Sequence, residues 1–572
     1  MKIKSTAAKA ITLMVLGSTA TMASANETIT YPKGDFCVIS AEIPFDGAKY
    51  KKSDHKTEKK LCNYYMDSES DGQAPIDQTD VALCPKLFSS SPAVEVFKIP
   101  EGTSKSRLQN RKCNWSVGDK TRGFKKRAKY KYDIAGQSIS SMMGYYHISR
   151  ALKITAVPVS LYRTLNKKTH IEVAVRGDEK NDRKDSSLAR YWKHIRYAFS
   201  GDIDKRFVTS DGQYSFGALS ENPTGEQKYY EDFWPGAAQK KGITAFKSKN
   251  TYRRLGLKKP VSDFIGTDLT DQNLQQIQAL KDASNMMILD SIFGQGDRFG
   301  NIHAYHMFMV PQEDGSLKKF TLKDVQDMIE ESGTAAEQAE YAAAKDMAND
   351  WKKQIMKRNK RIVRVARRFL ERIGMNHAYA QQMYLKDNDA GLVNAVNPFK
   401  ERRMIEGVYH VSESTYTQLV KLYDAVKSGE LTPFLTENLK MNSKERSRFL
   451  EGLTYVAENL MAKDRRGELY LDLNVKSHFK GIDLEPSTDG NLRVIKRGVR
   501  LRNEQILTKG LVDSTLLINV NGTVLTANPG DILTPQSPSQ DVKGTPMTKV
   551  KVLSSRTLPA GLEFYIWTEA LL

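Results

Sequence analysis

Apolar and polar positions alternate along Val94-Glu95-Val96-Phe97-Lys98-Ile99, the mark of a half-buried strand. A turn cluster, Pro100 to Ser106, follows it, and Arg107 to Trp115 is expected to return as a second strand. After a basic loop, Ser138 to Leu152 predicts a helix, and Ile154 to Leu165 a further strand interrupted by Pro158. Gly177 to Pro260 has weak periodicity and predicts loops and short helices around Trp192, Phe199 and Trp234. A long helix is predicted over Leu274–Phe293, with Leu274, Ile277, Leu280, Met286, Ile288 and Leu289 as its apolar positions. Residues 322–375 read as one or two charged helices and 413–462 as helical again. From Asn491 the pattern changes to short β-like runs with Asn521-Gly522 and Pro529-Gly530 turns, which predicts a small separate β-domain over 491–572. Residues 26–92 are polar and rich in turn formers, and read as an irregular extension. No internal repeat is visible.

The first 25 residues alter this picture. Lys2, Lys4 and Lys9 precede a short apolar stretch from Ile11 to Ala20, and Ala23-Ser24-Ala25 supplies a small-x-small cleavage pattern. That is the layout of a signal peptide cut near Ala25, so the expected location is periplasmic or secreted. No stretch has the roughly 20 apolar residues that a spanning helix needs. The four cysteines, Cys37, Cys62, Cys84 and Cys113, all lie in the first quarter of the chain. An oxidising compartment favours two disulfides; four cysteines allow three pairings, and the sequence leaves them open. The formal charge of +20, three units of it from the first 25 residues, favours acidic partners. Within it the segment 352–372 is densely basic with apolar residues interspersed, a pattern that fits either an anionic surface or a solvated helical face. No specific nucleic-acid motif accompanies the charge.

Two segments carry candidate chemistry. In Met287-Ile-Leu-Asp-Ser-Ile-Phe-Gly-Gln-Gly-Asp-Arg-Phe-Gly-Asn301 an apolar helix runs into a glycine-rich turn that presents Asp297, Arg298 and Asn301. In Tyr384-Leu-Lys-Asp-Asn-Asp-Ala-Gly391 a β-like run ends in Asp387-Asn388-Asp389. Phosphoryl transfer needs a carboxylate to orient the acceptor hydroxyl, and hard oxygen ligands to hold a metal against the phosphates. A rigid helix end and a strand end can supply both.

Together these segments resemble the secretory-pathway kinases, the Golgi casein kinase family, within the wider fold shared with HipA-type and phosphatidylinositol kinases. Ile288 to Arg298 is similar to that family's catalytic loop, and Asp387-Asn388 to its metal-binding Asp-Asn-Gly. Gly407 to Leu419 is similar to its Arg-Ser-Thr-x-x-Arg-Leu helix start. Tyr145 to Leu152 with Val157-Pro158-Val159 is similar to its Phe-His-Leu-Asp-Arg-x-Leu and Val-Pro-x-Val segment. The resemblance covers roughly residues 93–460. It implies an α+β, bilobal atypical protein-kinase-like fold, with an N-lobe over 93–170 and a mainly helical C-lobe over 171–470 that carries a helical insertion at 322–375. It implies ATP with Mg²⁺ or Mn²⁺ as cofactors, Asp297 as the catalytic residue, and Asp387 and Asn301 as metal ligands. A phosphate-pairing lysine is expected on the strand before the Ser138–Leu152 helix. Lys112 is assigned by spacing, with Lys98 and Lys105 as runners-up, and Gly102 caps the phosphates from the neighbouring turn. The acceptor implied is a hydroxyl of a protein, or of a sugar or lipid. Transfer of AMP on the same fold, and a catalytically dead binding module, are the alternatives. Three departures stand out: Phe299 replaces the family's His, Asn301 follows Asp297 by four residues rather than five, and Met142 occupies the position of the helix glutamate, in a helix with no acidic residue.

Overall fold

The computed structural model describes residues 26–479 except 69–73, 88–90, 114–125, 135, 155, 181–185, 202, 205, 223–226, 230–238, 300–301, 313–315, 347–351 and 394–402. Beyond 479 it describes only strands and turns between Leu492 and Trp567. The leader segment and Asn301 therefore lie outside the described residues, as does Trp234.

Eight strands form one curled sheet: β1 (Glu27–Thr30), β2 (Phe36–Ile39), β3 (Tyr64–Tyr65), β4 (Thr79–Pro85), β5 (Val94–Lys98), β6 (Lys126–Tyr132), β7 (Ser160–Asn166) and β8 (Tyr214–Glu221). Their spatial order is β1-β2-β7-β8-β6-β5-β4-β3, antiparallel except for β3–β4. The sheet thus draws strands from residues 27–85 and 214–221 as well as from the middle segment. Residues 26–92, read as irregular, contribute four of its strands and helix α1 (Lys52–Cys62). Two disulfides hold this region: Cys37–Cys62 ties β2 to the end of α1, and Cys84–Cys113 ties β4 to the end of α2 (Lys105–Lys112).

Helix α2 corrects the expected returning strand over 107–115. Lys105 to Lys112 contains no β-branched or aromatic residue, and Ser104 caps it by accepting a bond from the Arg107 amide at 3.2 Å. The strand that precedes the next helix, α3 (Ile139–Ala151), is instead β6, in the segment read as a basic loop. Every residue of α3 is buried, against the sheet on one side and the helical lobe on the other. Two buried contacts tie it to α1: Arg150 makes paired bonds to Asp54 at 2.9 and 3.0 Å, and the Tyr146 hydroxyl donates to Glu58 at 2.7 Å.

After α4 (Lys167–Glu179), α5 (Ser187–Arg196), α6 (Gln239–Ser248) and α7 (Asn250–Leu255), the helical lobe is organised on α8 (Asp271–Phe293). Its expected apolar positions are buried, from Leu274 to Leu289. A second sheet, β11 (Leu317–Thr321), β10 (Ile302–Pro311) and β12 (Ala378–Leu385) with β9 (Gln227–Lys228) on β10, packs on α8. Between β11 and β12 come α9 (Leu322–Ser332), α10 (Ala335–Asp346) and α11 (Lys352–Arg372), with a core of their own around Phe308, Val325, Ile329 and Phe369. Helices α12 (Glu413–Lys427) and α13 (Ser443–Arg465) close the lobe. α13 approaches α8 closely: a Cβ on Gly452 would stand 2.0 Å from the Ile292 carbonyl oxygen. The tail forms short antiparallel strands between Leu492 and Trp567. The architecture is α+β, a curled eight-strand sheet beside a mainly helical lobe.

Candidate functional site

Two chain reversals bring the candidate acids together. α8 ends at Gly294, whose φ of 63° allows the left-handed cap that a side chain disfavours. The turn beyond it exposes Asp297 while burying Gln295, Arg298 and Phe299. β12 ends two residues before Asp387, which itself adopts φ 53°, a left-handed conformation that short polar side chains tolerate and others rarely do. Gln295 joins the two reversals. Its Oε1 accepts from the Asp297 amide at 3.1 Å, and its Nε2 donates to the Asp387 carbonyl at 3.4 Å.

Arg298 fastens the turn from below. Fully buried, it makes bonds of 2.9–3.1 Å to both oxygens of Asp290, one turn up α8, and donates to the Lys386 carbonyl at 2.8 Å and to Asn388 Oδ1 at 2.6 Å. Tyr145 of α3 donates its hydroxyl to the same Asp290 at 2.7 Å. The Asp-Arg and Asp-Asn pairs of the two sequence segments are thus one buried network, in which Arg298, Asp290 and Asn388 position the acids. Phe299, where the resembled family has His, packs against Phe246.

The charged partners of Asp387 come from β6. Lys129 and Lys131, two residues apart and so on one face of the strand, are both buried. Lys129 Nζ lies 2.7 Å and Lys131 Nζ 3.3 Å from Asp387 Oδ1. Lys131 also pairs with Asp389 at 2.7 Å. Asp389 in turn accepts from the Gln137 carboxamide and the Ser138 amide, at the start of α3, both at 2.8 Å. Lys131 is thus paired with the second aspartate of Asp-Asn-Asp rather than with an acid of α3, while Met142 is buried in the apolar core. Burial raises the Asp387 carboxyl, but Lys129, Lys131, Lys86 and Lys386 outweigh it and hold the group well below the usual carboxylate range. Burial opposes the charge on Lys131, yet Asp389 and Asp387 keep its pKa above the ordinary value. Burial pushes Lys129 down, against the pull of Asp387. It also pushes Lys86, at the end of β4, down to about 7, helped by Lys129.

The lysine and glycine assigned by spacing are not in this cluster. Lys112 is the last residue of α2, not a residue of the strand before α3. In the β5–β6 register Val94 pairs Tyr130 and Phe97 pairs Lys126, so Lys129 and Lys131 sit towards the start of β5. Gly102 and Lys105 follow the other end of that strand. Lys105 is buried there, 2.5 Å from Asp80. Lys98 is exposed at that same end. A signal for the correct strand was present: Ala128, Tyr130 and Tyr132 alternate with Lys129 and Lys131 just before the α3 N-cap, Ser138.

The donor set favours a cation that arrives with phosphates. Among the described residues no three His, Cys, Asp or Glu side chains converge on a common point. Mg²⁺ bound with a nucleotide needs only one or two carboxylates, its remaining ligands being phosphate oxygens and water. Around Asp387 and Asp389 stand Lys86, Lys129, Lys131 and Lys386, an excess of positive charge that a polyphosphate would balance.

The chain is thus an α+β fold in which two chain reversals bring Asp297 and Asp387 to one place. Two solved structures of the Golgi casein kinase, one with Mn/ADP bound, are similar to the chain at TM-scores of 0.34 and 0.33. Their identities are 12% and 10%; each match covers 69% of this chain and 76% or 75% of the other. No protein-family model and no curated protein matches the sequence.

Proposed function

We propose that the protein is a metal-dependent phosphotransferase that moves the γ-phosphate of ATP to a hydroxyl group, most simply on a protein. The observation that carries this reading is the meeting of Lys129 and Lys131 with Asp387, beside a turn that exposes Asp297. On this reading Lys129 and Lys131, not Lys112, bind the phosphates. Asp387 holds Mg²⁺ or Mn²⁺, which would neutralise charge across them. Asp297 accepts a hydrogen bond from the acceptor hydroxyl, orients its oxygen and takes its proton as the new bond forms. Gln295 and Arg298 fix the two acids relative to each other, so that little reorganisation is left for the reaction. We further propose that the protein works after export. Two disulfides suit an oxidising compartment, and among the described residues no helix is long and apolar enough to cross a membrane.

The test is transfer of label from ATP marked separately at the γ- and α-phosphates, with Mn²⁺ or Mg²⁺, to the protein itself or to a generic acceptor protein. γ-Label should transfer, and Asp297→Ala, Asp387→Ala and Lys131→Met should each lower the rate at least about a hundredfold, the scale of losing one positioned charge. Transfer of α-label would replace the reading with AMP transfer. No transfer and no metal-dependent nucleotide binding would leave a binding module.

A further inference from the structure

A polar cavity lies between α8 and β12, the two elements whose ends lead to Asp297 and Asp387. It has a volume of about 60 Å³ and lies between α8, through Lys281, Asp282 and Asn285, β12, through Met383, and the α3–β7 connection, through Lys153. Asn285 is buried, and its Oδ1 has no hydrogen-bond partner. A carboxamide oxygen left dry in this way costs roughly 1–3 kcal/mol, so an occupant that donates to it is favoured. Asp282, beside it, already accepts from the Met383 amide at 2.7 Å and from Gln278 Nε2 at 2.8 Å. Lys153 is exposed at the cavity and holds φ 60°, a costly conformation for a lysine. Two lysines, Lys153 and Lys281, line the cavity against one acid, Asp282, on which Lys319 also acts.

We propose that this cavity binds a hydrogen phosphate ion. Its charged oxygens answer Lys153 and Lys281, and its P–OH supplies the donor that Asn285 Oδ1 lacks. Sulfate carries the same shape and charge but no proton at neutral pH, so the site distinguishes the two. The volume is several times the roughly 10–15 Å³ that one water needs, room for a small tetrahedral ion. The proposal stands apart from phosphotransfer, because the site shares no residue with the Lys129, Lys131 and Asp387 cluster.

Calorimetric titration of the oxidised full-length mature protein with inorganic phosphate, sulfate and O-phosphoserine at pH 7 tests it. One phosphate should bind per chain at a site that survives in Lys131→Met. Sulfate and O-phosphoserine should bind at least about tenfold more weakly. Lys281→Gln, Lys153→Gln and Asn285→Ala should each weaken phosphate at least about tenfold, roughly 1.4 kcal/mol. Lys153, being exposed, keeps the test valid where the buried substitutions perturb folding, which circular dichroism would reveal. Absence of saturable binding would overturn the proposal. So would sulfate binding equal to phosphate, tight O-phosphoserine binding, or loss in Lys131→Met with retention in Lys153→Gln.

Discussion

At the scale of single residues, burial outweighs the counter-charges in setting the protonation of Asp282. Burial pushes its carboxyl up to about 7, against the Met383 and Gln278 bonds and the nearby lysines. An unfolded aspartate titrates near roughly 3.9, so between about pH 4 and 7 the native state keeps a proton that the unfolded chain has lost. Its contribution is therefore complete below about pH 4 and disappears as the pH rises through 7. Asp282→Asn keeps an acceptor for the Met383 amide without the charge. In urea unfolding in phosphate-free buffer the variant should match wild type near pH 4 and exceed it at pH 8 by at least about 1 kcal/mol. Parallel pH profiles for the two proteins would refute this. The residues most legible in the sequence were Asp297 and Asp387, because a helix stop at glycine and a strand end at Asp-Asn-Asp are local signals. Lys129 and Lys131 were not. A strand whose lysines are buried looks, in one dimension, like a solvated basic loop, and only their partners 250 residues away keep them inside.

At the scale of elements, the long periodic helices were read within a few residues: Ser138–Leu152 became Ile139–Ala151, and Leu274–Phe293 became Asp271–Phe293. Their caps and apolar spacing are sufficient. The first sheet was hidden because its order is set by long-range pairing: β2 meets β7 across more than 120 residues, and no window of sequence contains both. The expected strand, Arg107 to Trp115, overlaps α2, whose residues Lys105–Lys112 include no β-branched or aromatic side chain. The seating of α13 on α8 depends on one missing side chain. At Gly452 even a methyl group would fall at 2.0 Å from the Ile292 carbonyl oxygen, a backbone atom two residues before the Gly294 cap. Gly452→Ala should therefore part the helices and cost at least about 2 kcal/mol in chemical denaturation, although alanine is the better helix former by about 1 kcal/mol. On the proposed reading phosphotransfer should fall with it, since Ile292 lies in the last turn of α8, from which the Asp297 turn projects. A neutral or stabilising effect would show that the two helices are free to separate there.

For the whole molecule, the disulfides close loops between residues 25 and 29 apart in sequence, both within strands and helices that lie on the large sheet. In the chain-entropy account each contributes roughly 3–4 kcal/mol by restricting the unfolded chain. Reduction under native conditions should lower the thermal midpoint by several degrees. Cys84→Ser with Cys113→Ser should reproduce about half of the shift; an unchanged midpoint would mean that the bridges lock nothing the packing does not already hold. Helices α9–α11 share a core with β10 and β11 around Phe308, Phe320, Val325 and Phe369. Several of the basic side chains described on α11 are engaged by acids, Arg368 by Glu340, Arg372 by Glu337 and Arg367 by Asp271, which takes charge away from any anionic surface.

The pairing of Lys129 and Lys131 with Asp387 across the two sheets also sets the order in which ligands can arrive on the proposed reading. A bare divalent cation approaching Asp387 meets two ammonium groups, and a bare polyphosphate approaching the lysines meets a carboxylate. Either alone strands the opposite charge in a dry seam. Metal and nucleotide together satisfy both, so each must raise the other's affinity by the same factor, and the complex of the two, rather than either species, is the true ligand.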